Sequence, residues 1–409
     1  MRKLMVLSLF AGSAIAAPGA LPTVTNVEIS QAAGCRFAKI SYSLSEGDNA
    51  IATLDILRNG VSIGGETFND ALCGPVNCEV QGGKTYALTW DTYSSWPNVV
   101  TVTAEVTVRV TLWPLSAPPA YEVLDLLGVD ETRYYAKAED VPGGVGSSRY
   151  KRSERLLMRR IPAKGRTFFM GSPNHEFGRA KEDEYGHLVS FTNDWFIGVY
   201  PVTQGQYRHL MKTLPSACAF VSEGDSPLRP VTGLTYASLC GGVNDNAKRS
   251  YVRGAAGILG LAKAATGIPQ LDLPTDAQWE CSCRAGTGTS FNNGTTSSLD
   301  EIAWHSGNAG GETHPVGLKK PNAFGLYDMQ GNVCEMVFDG YKKNLGRACV
   351  VDPFVSFSEG LGTFRRGGSF ASDASDCRSA RRGARVTEWH KLPDIPQDDC
   401  GFRFAQIIY

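Results

Sequence analysis

Residues 364–404 concentrate the groups in this chain that could do chemistry. Phe364-Arg-Arg-Gly-Gly-Ser-Phe370 leads through a polar run to Cys377-Arg-Ser-Ala-Arg-Arg382, and then to Cys400-Gly-Phe-Arg-Phe404. Two glycines before Ser369 permit close backbone approach or a positive φ. Arg365, Arg366, Arg378, Arg381, Arg382, Arg385 and Arg403 are more arginines than a buried segment tolerates without partners. Either they pair with acidic neighbours such as Asp373, Asp376, Asp398 and Asp399, or Arg365-Arg366 and Arg381-Arg382 meet an anionic ligand. Upstream, Asn322-Ala-Phe-Gly-Leu-Tyr-Asp-Met-Gln-Gly-Asn-Val-Cys-Glu335 adds a second thiol at Cys334.

The remaining reactive residues are scattered. Eleven cysteines are an odd number, so at least one thiol is left over or pairs between molecules. Cys73 and Cys78 could close a small loop, with Cys35 competing for either. His175, His187, His209, His305, His314 and His390 form no His-x-x-x-His pair and avoid the Gly-Gly-Ser segment. His187 and Asp194 could accompany a serine, but nothing in the sequence positions them. No Gly-x-Ser-x-Gly elbow, Walker loop or dinucleotide fingerprint is present.

A formal net charge of −1 over 409 residues, without a sustained basic block, argues against a nucleic-acid surface and against docking on an anionic membrane. Arg2 and Lys3, an apolar run from Leu4 to Ile15, and Ala14-Ile15-Ala16 read as a signal peptide over residues 1–16. That run is too short to span a bilayer. A secreted or periplasmic protein without a transmembrane segment is therefore expected.

The length allows two or more domains, and 45 glycines with 21 prolines predict much irregular structure. Residues 22–115 read as β. Ala38–Leu44 alternates, and Ile51–Leu57 meets Val61–Ile63 across Arg58-Asn59-Gly60, a strong hairpin signal. Thr85–Trp90 and Val100–Leu112 are further strands. Short strands between turn clusters suggest an immunoglobulin- or fibronectin-like sandwich, with no chemical constellation and hence a spacer or docking role. Prolines from Pro114 stop it, and residues 116–154 read as a connector.

From residue 155 to 409 a second domain mixes short strands (Leu156–Pro162, Thr167–Ser172 and a pair within Leu188–Tyr200) with short helices. Thr203 can cap a helix through Tyr207 and Leu210. A second short helix follows Thr235, and a third lies within Tyr251–Thr266. Thr275 caps a fourth, with Asp276 favouring the N-terminal dipole and Gln278 completing a capping box.

The Met170-Gly-Ser strand, Tyr200-Pro-Val-Thr, Arg229-Pro-Val, Leu273-Pro-Thr-Asp-Ala-Gln-Trp-Glu, Asn322–Glu335, Arg366-Gly-Gly-Ser-Phe and Gly401-Phe-Arg-Phe occur in register. Together they resemble the formylglycine-generating-enzyme, or sulfatase-modifying-factor, family. The resemblance implies an irregular α+β domain distantly related to C-type lectins, preceded here by the all-β segment. It also implies an oxidoreductase that converts a cysteine of a sulfatase-type protein to formylglycine with oxygen and a copper(I) held by two cysteines.

Carried onto this chain, the two copper positions fall on Ser372 and Cys377, so one thiolate has become a hydroxyl. Two thiolates suit copper(I); a serine does not. Ser369 matches a serine at the family's oxygen site, or is a turn residue bonding its own backbone. Cys334 stands where relatives usually carry tryptophan, near the substrate cleft. With Cys377 it could hold copper, form a disulfide or fill space. Arg381 is placed at the same cleft. The family's structural calcium ligands fall on Asp328, Gly331, Val333 and Glu335, hard oxygen donors appropriate to that ion.

Two readings follow. In one, the protein oxidises a cysteine of a protein substrate, with Cys377, Ser372 and Ser369 at the catalytic positions. In the other, the same cleft binds a glycan, peptide or protein without catalysis.

Overall fold

The computed structural model describes residues 19–96, 102–103, 105–152, 154–216, 218, 226–241, 244–245, 250–251, 254–356, 363–383 and 396–409. The expected signal peptide, the start of the strand expected over Val100–Leu112, Arg385 and His390 lie outside them. The chain divides into two compact units. One comprises residues to Val123 with Glu131–Ser147 and Tyr409; the other comprises Leu124–Asp130 and Ser148–Ile408.

The first unit is built from two antiparallel sheets. Val24–Gln31, Phe37–Leu44, Thr85–Asp91 and Leu72–Cys73 lie side by side in that order. Val61–Ser62, Ala50–Arg58 and Cys78–Val80 make the second sheet, with Val106–Pro114 paired along the whole of Ala50–Arg58. Alternation in the sequence decides which face is buried: Ala38, Ile40, Tyr42 and Leu44 are buried while the residues between them are not. Ile29, Ile40, Leu54, Ile56, Leu88, Trp90 and Val106 share one core. The Asn-Gly hairpin forms as expected. Asn59 and Gly60 take φ of 49° and 78°, and Arg58 pairs with Val61. Within the stretch expected as a connector, Tyr121–Asp125 and Arg133–Tyr135 are paired strands, with Tyr121 opposite Tyr135.

The second unit has an antiparallel sheet of Arg155–Ile161, Trp195–Gly198, Ala405–Ile407 and Leu271–Asp272, in that order. A smaller sheet joins Thr167–Met170, His187–Ser190 and Val350–Val351. Helices Gln204–Met211 and Asp276–Arg284 start where expected. Thr203 and Gln206 exchange cap hydrogen bonds of 3.0 and 3.2 Å, as do Thr275 and Gln278 at 2.9 and 3.2 Å. The helix expected within 251–266 begins only at Ile258, because Gly254 and Gly257 are poor helix formers and Gly257 serves as its N-cap.

A third sheet of the second unit positions the site. Cys334–Met336 is central, antiparallel to Arg365–Arg366 and parallel to Cys400–Gly401. Three segments distant in sequence meet there.

Candidate functional site

The arginines of the C-terminal stretch are mostly scaffold. Arg366 is fully buried; its Nε donates to Asp276 Oδ1 at 2.6 Å and Nη2 to Glu280 Oε2 at 2.7 Å. Arg382 Nε reaches the other Asp276 oxygen at 2.8 Å, and Arg284 Nε takes Glu280 Oε1 at 2.9 Å. Burial alone would raise the Asp276 pKa, but Arg366 and Arg382 hold it below its ordinary value. Arg378 grips Glu184 through two 2.8 Å bonds and Glu176 through one of 2.6 Å. Of the acidic neighbours expected as partners, Asp376 binds Arg381 at 2.9 Å. Arg366, Arg378 and Arg382 take their carboxylates from the Asp276–Arg284 helix and the loop around Glu176–Glu184, which sequence proximity could not reveal. An anionic ligand held by the paired arginines is therefore not favoured, since Arg366 and Arg382 already have buried carboxylates.

Gly367 and Gly368 adopt φ of 91° and 69°. A Cβ on Gly368 would lie 2.6 Å from Cys377 Sγ, and one on Gly367 would lie 2.8 Å from the Met329 carbonyl. The glycine pair therefore lets this turn press against the Cys377 segment. Ser369 and Ser372, both fully buried, close the turn. Ser372 Oγ accepts from Ser369 N at 3.0 Å, and the two hydroxyls lie 3.1 Å apart. Ser369 Oγ also donates to Asp399 Oδ2 at 2.7 Å and accepts from Ala371 N at 3.2 Å. Ser369 thus does bond its own turn, and it has a carboxylate partner that the sequence did not single out for it.

Cys377 packs with Phe291, Leu299, Ile302 and Ala303. Burial drives its thiol pKa well above the ordinary value, and Gln330 Nε2 caps its carbonyl at 2.7 Å. Cys334 is equally buried, but its thiol neighbour is Cys400 and not Cys377. Ser372 and Cys377 do not fit a two-thiolate copper(I) site. One donor is a hydroxyl already engaged in its turn, and the other is a protonated thiol in an apolar cluster.

The expected calcium ligands come together differently. Glu335 receives Arg403 through bonds of 2.8 and 3.0 Å from Nε and 2.6 Å from Nη2, and Trp279 Nε1 at 2.6 Å. Arg403 Nη2 also donates to the Tyr327 carbonyl at 3.0 Å. Asp328 accepts from Gly317 N at 2.7 Å and Asn332 Nδ2 at 3.3 Å; burial raises its pKa. Val333 is fully buried and Gly331 sits under Trp304, whose carbonyl a Cβ would meet at 2.2 Å. Glu335 is thus engaged by a guanidinium and Asp328 by amides. Among the described residues, no group of three His, Cys, Asp or Glu side chains is placed to hold a metal.

An irregular α+β domain, a Gly-Gly-Ser turn and a loop ending in a buried glutamate define the class, that of the sulfatase-modifying factors. Residues 151–408 match the family model described as a sulfatase-modifying factor enzyme 1-like domain. The chain belongs to that family. It is similar to the chaperone protein LppX of Paenibacillus barcinonensis, 29% identical over 192 residues, which are 39% of this chain and 68% of LppX. It is also similar to the formylglycine-generating enzyme of Mus musculus, 31% identical over 146 residues, covering 32% of this chain and 38% of that enzyme. Thus it spans well under half of the mouse protein. Among solved structures it is similar to PvdO from Pseudomonas aeruginosa, with 24% identity and a TM-score of 0.49, covering 62% of this chain and 94% of PvdO. Treponema denticola variable protein 1 is also similar, at 25% identity and TM-score 0.47, covering 62% and 95%.

Proposed function

We propose that this protein is an exported, non-oxidising member of the family whose cleft surface binds a protein or peptide segment. The observation that carries the reading is the state of the copper positions. The Ser372 hydroxyl is locked to Ser369, and the Cys377 thiol is sealed among Phe291, Leu299 and Ile302. The half-exposed groups around Cys334 and the turn, Arg365, Arg381 and Asp399, are charged, which suits a polar segment of a partner. The alignment over most of LppX, a protein named as a chaperone, supports a protein-directed role. Export rests on the leader pattern of residues 1–16. The two-sheet N-terminal unit is read as an immunoglobulin- or fibronectin-like sandwich acting as a spacer or docking module. The 328–335 loop is read as held by Arg403 in place of calcium.

Mass spectrometry of a cysteine-containing sulfatase-motif peptide tests this. The peptide is incubated with the mature protein, copper(I), a thiol reductant and air, beside a copper-loaded relative. The expected result is no change in the peptide here and conversion by the relative. An aldehyde that disappears in Cys377→Ala would overturn the proposal in favour of cysteine oxidation.

A further inference from the structure

Cys334 and Cys400 are cysteines that neither the family's copper chemistry nor the ion-pair scaffold uses. They lie directly opposite each other in register on the parallel strands Cys334–Met336 and Cys400–Gly401. Neighbouring strands run about 5 Å apart, inside the Cα separation of about 4.4–6.8 Å that a disulfide spans. Both residues are buried, and in-register neighbours on parallel strands project their side chains from the same face of the sheet. Cys334 Sγ also points at the Asp399 carbonyl, 3.4 Å away, and Cys334 N donates to the same carbonyl at 3.0 Å. Burial apart, Asp399 and Arg365 are the charged groups that act on the Cys334 thiol, the first raising and the second lowering its pKa.

We propose that Cys334 and Cys400 are a redox pair that closes to a disulfide, stapling the C-terminal Cys400–Gly401 strand to the centre of the site sheet. The two thiols would pass two electrons and two protons to a small oxidised disulfide such as oxidised glutathione. The new S–S bond replaces two S–H bonds, and that small disulfide leaves as two thiols. Because both sulfurs are shielded, exchange proceeds while the chain folds or through local opening; once formed, the bond resists external reductant. Asp399, which receives the Ser369 hydroxyl at 2.7 Å, immediately precedes Cys400. The staple therefore also fixes the carboxylate that holds the Gly-Gly-Ser turn. A buried pair in register is otherwise a poor soft-metal site here, because burial and its neighbours keep the Cys334 thiol protonated.

Peptide mapping under non-reducing conditions tests this on the wild-type chain. The protein is refolded in a glutathione redox buffer, and free thiols are then alkylated in denaturant. The expected result is a cross-linked species joining the Cys334 and Cys400 peptides, absent from Cys400→Ser. Thermal melting is the second measurement. Reductant present during refolding is expected to lower the wild-type Tm by several degrees and leave Cys334→Ser/Cys400→Ser unmoved. Full alkylation of both thiols after oxidative refolding would overturn the proposal, as would either cysteine linked to Cys377 or to any other partner.

Discussion

Arg366 and Asp276 meet across 2.6 Å in the interior of the second unit, with the Arg366 side chain wholly shielded from solvent. A guanidinium there is tolerable only because Asp276 and Glu280, one helical turn apart, present carboxylates toward it. Asp276 in turn holds Arg382. The start of the Asp276–Arg284 helix is therefore the anchor for both ends of the 366–382 segment, and so for the Gly-Gly-Ser turn between them.

Breaking this anchor on one side leaves uncompensated charge in the core. Asp276→Asn is expected to cost about 3–5 kcal/mol, as for other buried ion pairs that lose one partner. Denaturant unfolding measures it. A loss below about 1 kcal/mol would mean that water reaches Arg366 and that the pair is not structural.

Glu122 predicts a pH dependence in the first unit. It is completely buried, and among the described residues its two carboxylate oxygens are left without a well-formed hydrogen bond. Burial raises its pKa to about 8, against a smaller opposing effect of the nearby Tyr134 hydroxyl. Between its ordinary value and about 8 the folded chain holds a proton that the unfolded chain has lost. Stability therefore falls as pH rises through that window, by at most several kcal/mol at about 1.4 per unit. Glu122→Gln should match wild type at low pH and exceed it above pH 8. Parallel pH profiles of the two would expose the idea as wrong.

Arg403 supplies the positive charge that a calcium ion would bring to Glu335. Melting temperatures measured with millimolar calcium and with a chelator are accordingly expected to coincide. Arg403→Leu should cost about 3–5 kcal/mol by stranding Glu335. A rise of several degrees on adding calcium to the wild type would restore Asp328, Gly331, Val333 and Glu335 as a ligand set.

Ser372→Cys returns the second thiol to the turn. If the hydroxyl at 372 weakens a copper(I) site here, the variant should bind copper(I) more tightly than wild type, read by competition with a chromogenic copper(I) chelator. Equal affinities would show that sealing of Cys377 also prevents binding. The variant loses the Ser369–Ser372 contacts and is expected to cost about 1 kcal/mol in stability.

What the sequence determined by itself was local. The Thr203 and Thr275 caps, the Asn59-Gly60 hairpin and the alternation of Ala38–Leu44 each depend on residues a few positions apart, and each appears as read. The glycine pair before Ser369 was legible for the same reason, since backbone freedom is a property of one residue. The family itself was also legible, because the order of its motifs survives along the chain. The partners of the site were decided only by tertiary structure. Arg366 finds Asp276 and not the acids beside it, and Glu335 finds Arg403. Ser369 finds Asp399, and Cys334 finds Cys400. A buried charge or thiol must be matched by whatever side chain the fold brings within about 3–4 Å, and nothing in the spacing along the chain encodes that distance.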